Sequence, residues 1–536
     1  MSPAGPPFGR ILVANRGEIA VRIIRASHEL GMEAVAVYSD ADADAQHVHA
    51  ADIAIRLGPA PPSESYLRID AIVEAARGSG AEAIHPGYGF LSERAAFAHA
   101  VEEAGLVFVG PPSGVIEALG DKIQARRLAR SVGVEGVPGT IDPVSVDRPD
   151  ALPAILAEAE RIGFPLLVKA AAGGGGRGMR RVATATELPA ALAAGSAEAA
   201  SAFGDGSVFL EREVRHARHI EVQLLGDAAG RVVAIGERDC SLQRRHQKLV
   251  EEAPAPGLTG EQRRHLHELS VRVASAAGLR NAATAEFLRA PDGAFYFLEV
   301  NTRLQVEHGV SELVSGVDIV QEQFRLAAGE PLSTMALAAA SRATEPDGHA
   351  IEVRLSAEDP SLGFAPGPGR IRRWVMPAGP GVRVDTGFVA GDRVPPDYDN
   401  LVAKVMVHAG DRRAAIDRLR RALDETEVAG IQTTLPFHRF VARHDGFRAG
   451  ELSIEWVADE WDGAAERARY AGAAGEAAAR AGARGALATD AQERPGAVRP
   501  AGPVRPGPRP DPATPPPAED GWAAVGRDEA VDRWPR

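Results

Sequence analysis

The stretch 284–312, TAEFLRAPDGAFYFLEVNTRLQVEHGVSE, concentrates more reactive side chains than any other part of the 536-residue sequence. Two apolar runs flank Asp292-Gly293, a strong hairpin signal. With those two residues as the loop, Pro291 pairs with Ala294, and the same register sets Glu286 opposite Glu299. Two carboxylates so placed lie on one face about 5 Å apart. They repel unless a cation or proton stands between them, so the pair reads as a hard-metal site of the Mg²⁺ kind. A solvated hairpin face is the competing reading, but the neighbours Phe287, Phe297 and Leu298 point to burial. Asn301 adds an oxygen on the same face. The odd positions continue through Arg303, Gln305 and Glu307, and such a row, if extended, spans about 26 Å, too far for one metal. The economical division puts the metal at the Glu299 end and acid–base work at Glu307, with Arg303 between them to stabilise negative charge.

A second cluster, GERDCSLQRRHQKLVEEAPAP at 236–256, gathers Arg238, Arg244, Arg245, His246 and Lys248 in a short, loop-like stretch that suits anion binding. Cys240 beside His246 invites a thiol-nucleophile reading against a structural one, and no orienting partner is identifiable. His216 and His219 form a metal pair only if a third ligand exists; hydrogen bonding by His219 is the simpler role.

A third feature, VKAAAGGGGRGMR at 168–180, satisfies several glycine patterns at once. Its flanks are more selective than its glycines. FPLLVKA leads in as a strand and MRRVA leads out as another, whereas a P-loop or a dinucleotide loop opens directly into a helix. Met179-Arg180 also stands where a P-loop carries Lys-Ser/Thr. What survives is a glycine-rich hairpin closing over phosphates, with Lys169 on the incoming strand.

Only four lysines, at 122, 169, 248 and 404, stand among 60 basic residues. A sequence that uses arginine nearly everywhere keeps lysine where a compact, rotatable ammonium is hard to replace, although coding bias alone is the alternative. The formal net charge of −13 argues against holding nucleic acid or an anionic membrane by general electrostatics. One cysteine excludes a disulfide framework, and no long apolar segment or signal peptide is evident, so a soluble, cytoplasmic protein is expected.

The elements that must carry these groups follow from periodicity. Strand Ile11–Ala14, a turn at Asn15–Gly17, a helix through Ile19, Ile23 and Ile24, and strand Ala34–Tyr38 make a βαβ opening. The expected fold class is α/β and α+β, multidomain: an open α/β domain at 8–120, a two-layered domain at 121–330 with its lid at about 138–210, and a third α/β-type segment at 331–460. Residues 461–536 are rich in alanine, arginine and then proline, the composition of a disordered tail.

Taken together, ILVANRGEIAVRI, HPGYGFLSE, GDK at 120–122, VKAAAGGGGRGM, ERDCSLQRRHQKLVEEAPAP, FLEVNTRLQVEH and PPDYDNLVAK resemble, in order, the biotin carboxylases of the ATP-grasp superfamily. The resemblance spans nearly all of 8–460. It implies that Lys122, Lys169, Gly175, Gly176, Glu211, Arg212, Glu213, Val214, His219, Gln243 and His246 hold ATP, and that Glu286, Glu299 and Asn301 hold Mg²⁺ or Mn²⁺. It further implies that Lys248, Arg303, Gln305 and Val306 line the bicarbonate site, that Glu307 is the base, that Arg303, Glu307 and Lys248 are catalytic, and that Arg354 lies beside biotin. The implied chemistry is deprotonation of bicarbonate by Glu307, attack on the ATP γ-phosphate to give carboxyphosphate, and carboxylation of a biotin enolate held by Arg303.

Two departures stand out. Gly309 replaces the family's usual proline and adds backbone freedom beside the base. No lysine follows Lys404, so biotin is expected on a separate carrier protein. The carboxyltransferase is likewise expected on another polypeptide, and a homodimer is the expected assembly. An acyl-CoA carboxylase component is the leading reading. A different ATP-grasp carboxylate–amine ligase and a non-catalytic, nucleotide-binding paralogue that organises a carboxylase complex remain as alternatives.

Overall fold

The computed structural model describes residues 5–144, 152–170 and 179–462. The glycine run with Gly175 and Gly176, and the Ala/Pro-rich segment beyond 462, lie outside them.

Five strands form the first sheet: β1 (Arg10–Val13), β2 (Glu33–Ser39), β3 (Ile53–Gly58), β4 (Ala83–His85) and β5 (Val107–Phe108). Their order is β3-β2-β1-β4-β5, with every pairing parallel. Ile11, Leu12 and Val13 are all buried, because a central parallel strand is covered on both faces. The helix Gly17–Glu29 buries Ile19, Ile23 and Ile24 at the predicted spacing. Chain order reverses between β1 and β4, the place where open α/β sheets leave a crevice. Asn15 ties its two loops together, donating from Nδ2 to the carbonyls of Pro86 and Tyr88, both at 2.7 Å.

A three-stranded antiparallel sheet follows, β7 (Met179–Val182), β6 (Leu166–Ala170) and β8 (Val208–Arg212), in that order. Strands therefore do lie on both sides of the glycine run.

The third sheet has eight strands, all antiparallel: β13 (Phe295–Asn301), β12 (Asn281–Arg289), β9 (Arg218–Gly226), β10 (Val232–Arg244), β11 (Gln247–Ala253), β14 (His349–Ser356), Leu401–Ala409 and Val382–Thr386. It passes without a break from residues before 330 to residues after it, through the β11–β14 pairing.

Two sequence expectations change here. The stretch 236–256 is not loop-like: apart from the turn at Arg245-His246 most of it is the β10–β11 hairpin. The row from Glu299 to Glu307 is not extended either, since β13 stops at Asn301 and the chain turns into the helix His308–Ser315. That turn folds a row too long for one centre into a compact cluster.

Candidate active site

Two β-bulges aim the side chains. In the β12–β13 hairpin the loop is Pro291-Asp292-Gly293, and Arg289 pairs with Phe295, one residue off the expected register. A bulge at Leu298 then restores the offset, so Glu286 does face Glu299. The shift lets Phe297 and Val300, three apart, reach the same core. In the β10–β11 hairpin the register jumps between Gln243 opposite Lys248 and Leu242 opposite Val250. Leu249 and Val250 consequently both enter the core, which turns Lys248 and Glu251 onto the other face together.

Lys248 is the centre of the cluster. Its Nζ donates to Glu221 at 2.5 Å, Glu307 at 2.7 Å and Glu286 at 3.1 Å. Burial alone would lower the Lys248 pKa, but these three carboxylates hold it well above the usual value. The same charges act on the acids. Burial pushes the Glu307 carboxyl up, and Lys248, Arg354 and Arg238 together bring it well below the ordinary range. Glu286, which burial likewise pushes up, is held low by Lys248 and by His219, whose Nε2 lies 2.8 Å from Glu286 Oε2. His219 is raised by that contact against its own burial.

The remaining predicted residues converge on this centre from β13, the turn that follows it, and β14. Asn301 Nδ2 donates to Glu286 Oε1 at 2.7 Å and Gln305 Nε2 to the same oxygen at 3.0 Å. Arg303 donates to Gln305 Oε1 at 2.8 Å and pairs through Nε with Glu93 at 2.9 Å. Arg354 on β14 bridges two acids, Nε to Glu251 at 2.6 Å and Nη2 to Glu307 at 2.8 Å. The Val306 carbonyl accepts from Lys404 Nζ at 2.9 Å.

The nucleotide-binding candidates lie on both antiparallel sheets, in the segments that flank them and on one helix. Lys169 on β6 pairs with Glu211 on β8, which also takes Arg126, and these cations hold Glu211 low despite its burial. Arg212 ends β8, and beside it the Glu213 amide donates to Pro165 O at 2.9 Å while the Glu213 carboxylate meets Arg181; Val214 follows at once. His246 occupies the tip of the β10–β11 turn with Gln243 on the incoming strand, and burial, then Lys169 and His219, lower the His246 pKa. Lys122 opens the helix Lys122–Ser131, capped by Asp121, and its charge reaches Glu299. Gly175 and Gly176 lie outside the described residues.

The donor set fits a divalent cation. Burial and the facing Glu286 raise the Glu299 carboxyl, with Lys122 and His219 opposing, so a cation between the two carboxylates would relieve their repulsion. Ligand atoms of His219, Glu221 and Glu286 also come within 4.8 Å of one another. His216 is not in that group, so the metal pair of histidines is not assembled; His219 hydrogen-bonds to Glu286, the simpler role, and Lys248 already supplies positive charge there.

Several partners escaped the sequence reading. Glu221 is wholly buried between Lys248 and Arg238. Its signal was available: β9 is buried throughout, yet His219, Glu221 and Gln223 alternate along it, a polar face that demands partners. Arg238, expected to bind anions, instead spends its donors on Glu221, Gln223, Ser311 and Thr284 inside the sheet. Cys240 is buried, and that burial with nearby Glu221 raises its thiol well above the usual value, so it has the surroundings of an inert, structural thiol.

A lysine on the strand that leads into the glycine run, with its charge reaching His246 on a second sheet that carries paired carboxylates, matches the layout of an ATP-grasp enzyme. The model of the "Carbamoyl-phosphate synthase L chain, ATP binding domain" matches 121–335, that of "Biotin carboxylase, N-terminal domain" 7–116 and that of "Biotin carboxylase C-terminal domain" 352–459. Biotin carboxylase of Pseudomonas aeruginosa is 47% identical over 84% of this chain and 97% of its own length. The propionyl-CoA carboxylase alpha chain of Ruegeria pomeroyi is 45% identical over 85% of this chain and 68% of its own. Among solved structures, the biotin carboxylase domain dimer of Hydrogenobacter thermophilus 2-oxoglutarate carboxylase, in complex with MgADP, ADP and bicarbonate, superposes with a TM-score of 0.79 at 43% identity, covering 84% of this chain and 97% of that one. The chain belongs to the biotin carboxylase family, ligases that carboxylate biotin with bicarbonate at the expense of ATP.

Proposed function

We propose that this chain carboxylates biotin borne by a separate carrier protein, as the biotin carboxylase component of an acyl-CoA carboxylase, through the residues assembled around Lys248. The observation that carries the assignment is the convergence of Glu286, Glu307 and Lys248, with Arg303 and Arg354 on either side. Lys122, Lys169, Glu211, Arg212, Glu213, Val214, His219, Gln243, His246 and the loop glycines Gly175 and Gly176 hold ATP. Glu286, Glu299 and Asn301 hold Mg²⁺, which neutralises phosphate charge when bound.

Lys248, Arg303, Gln305 and Val306 receive bicarbonate. In the structure Glu307 is a weak base, its negative charge stabilised by Lys248 and Arg354. An arriving bicarbonate shares those cations, the field on Glu307 falls, and its basicity rises only when there is a proton to take. Bicarbonate then attacks the γ-phosphate and ADP leaves, giving carboxyphosphate, which breaks down to CO₂ and phosphate; the phosphate takes the proton from the biotin ureido nitrogen, and the enolate so formed attacks CO₂. Arg303 holds the oxygen of the biotin enolate, and Arg354 orients the ring. The domain limits 8–120, 121–330 and 331–460, a cytoplasmic location and a homodimer belong to the same reading, with carrier and carboxyltransferase as partner chains. The acyl-CoA preference rests on the sequence resemblance, because the acceptor is chosen by the carboxyltransferase.

Bicarbonate-dependent ADP release, measured with and without free biotin, tests the assignment. Stimulation by biotin is expected. ATP turnover indifferent to bicarbonate would point to another ATP-grasp ligase, and absent turnover with nucleotide still bound would point to a non-catalytic paralogue.

A further inference from the structure

One buried acid beside the site has no assigned task. Glu352 lies directly opposite Glu251 across β11 and β14, and the two side chains share the face that carries Arg354. Glu352 is fully buried, and among the described residues nothing donates to either of its oxygens; Glu251 Oε2 is likewise without a partner. Three orphaned acceptor atoms on cross-strand neighbours are costly if both groups are ionised, and two of them are satisfied at once if one group carries a proton.

The surroundings select which one. Glu251 Oε1 already accepts from Arg354 Nε, the bond of a carboxylate. Glu352 is crossed by Met406 on the neighbouring strand, and Lys404, the closest cation on that strand, donates to Val306 O at 2.9 Å and lies 3.2 Å from Glu18 and 3.8 Å from Asp385. From above, the helix His308–Ser315 seals the group: a Cβ on Gly309 would stand 3.4 Å from Glu352 Oε2 and would run into Met406 Sδ. Burial also raises the Glu352 carboxyl well above the ordinary range, with Lys404 and Arg354 opposing and Glu251 and Glu307 reinforcing.

We propose that Glu352 is a positioning residue that stays protonated at neutral pH and donates its hydrogen bond to Glu251, so that Glu251 and Glu307 hold the two edges of the Arg354 guanidinium in the orientation carboxylation needs. The inference rests on the proposed role of Arg354 beside biotin. It explains how three glutamates, at 251, 307 and 352, gather around one arginine: one of them is neutral.

Infrared difference spectroscopy of the full chain against Glu352→Gln gives the first test. The protonated-carboxyl band is present in the unsubstituted protein at pH 7 and absent from the variant; if no such band is lost, Glu352 is ionised and the inference is overturned. This readout does not depend on activity, so it stands even if biotin fails to stimulate ADP release and the functional reading falls. Kinetics supply the second test. Glu352→Gln retains a donor to Glu251 and keeps kcat/KM for biotin within about threefold, whereas Glu352→Leu lowers it about 10–100-fold with KM for ATP unchanged. Equal losses in the two variants at unchanged melting temperature would overturn the positioning role, and should Glu352→Leu not fold, the glutamine variant decides alone.

Discussion

The two hairpins of the eight-stranded sheet solve the same geometric problem with opposite chemistry. Between β12 and β13 the loop Pro291-Asp292-Gly293 uses ordinary turn residues: Gly293 takes φ +90°, and Asp292 Oδ1 accepts from the Ala294 amide at 3.0 Å. Between β10 and β11 the turn is Arg245-His246, with φ +50° and +65° and no glycine at either position. Positive φ at two bulky residues is uphill. At the first hairpin the candidate metal ligands, Glu286 and Glu299, lie down the strands, so the tip is free to be a good turn. At the second the tip itself carries His246, a candidate for holding nucleotide, and glycine there would remove that candidate.

The largest effect tests what the second hairpin delivers. Lys248 reaches the cluster only because of the bulge at Leu249, and removing it leaves Glu221, Glu286 and Glu307 buried without their shared counter-charge. Lys248→Met should cost about 3–5 kcal/mol in urea unfolding and abolish ADP release. A loss under about 1 kcal/mol would mean that the ammonium is not what balances these acids.

Next along the same strand, Glu252 points away from the site and accepts from His349 and Arg412. Burial pushes its carboxyl up, but those partners bring it down to about 2. A depressed pKa stabilises the fold above the unfolded value and loses that contribution as pH falls, so the window runs from about pH 4.5 down to about 2, and the contribution is on the order of 3 kcal/mol. Glu252→Gln should flatten the acid limb of a stability–pH curve in that window. Its neighbour Glu251 is pushed the other way, up, chiefly by burial and against Arg354, so it adds nothing to that acid limb. An unchanged acid limb in Glu252→Gln would remove Glu252 from the account.

Much of this arrangement was legible because hydrophobic period and turn chemistry are local. The first βαβ unit, the strands flanking the glycine run and the pairing of Glu286 with Glu299 all follow from spacing. The last was reached by a route that the molecule does not take, since a three-residue loop and the bulge at Leu298 offset each other. Bulges were invisible: nothing in QKLVEE marks Leu249 as the extra residue, and the bulge alone puts Lys248 and Glu251 on one face. Arg238 misled for a related reason. A cluster of cations in sequence is not a cluster in space when the residues lie on strands, and Arg238 points into the sheet.

Gly309 shows the same limit at smaller cost. Backbone freedom was the expected role, but its φ is not in the left-handed range, and what the position requires is closeness: a Cβ there would meet Met406. Gly309→Ala should therefore destabilise by about 1–3 kcal/mol through overpacking. Adding Met406→Ala should recover part of that loss, because the two sites are in contact and their effects do not add. Strictly additive losses in the double variant would show that the glycine is not there to admit the thioether.

The smallest effect returns to the two turns and reverses sign between them. Gly293→Ala places a side chain at φ +90°, which costs about 1–2 kcal/mol, and it should leave ADP release intact because no proposed site residue lies in that loop. Replacing Arg245-His246 with Asn-Gly installs residues suited to positive φ at both positions and should raise stability by about 1–2 kcal/mol, while raising KM for ATP through loss of the imidazole. Thermal unfolding and ATP titration of the two variants, run side by side, decide the matter. If Asn-Gly also lowers stability, the arginine–histidine turn is held by contacts that outweigh its backbone strain. If it raises stability without touching KM for ATP, the strain is real but His246 is not the reason for it, and the contrast between the hairpins needs another cause.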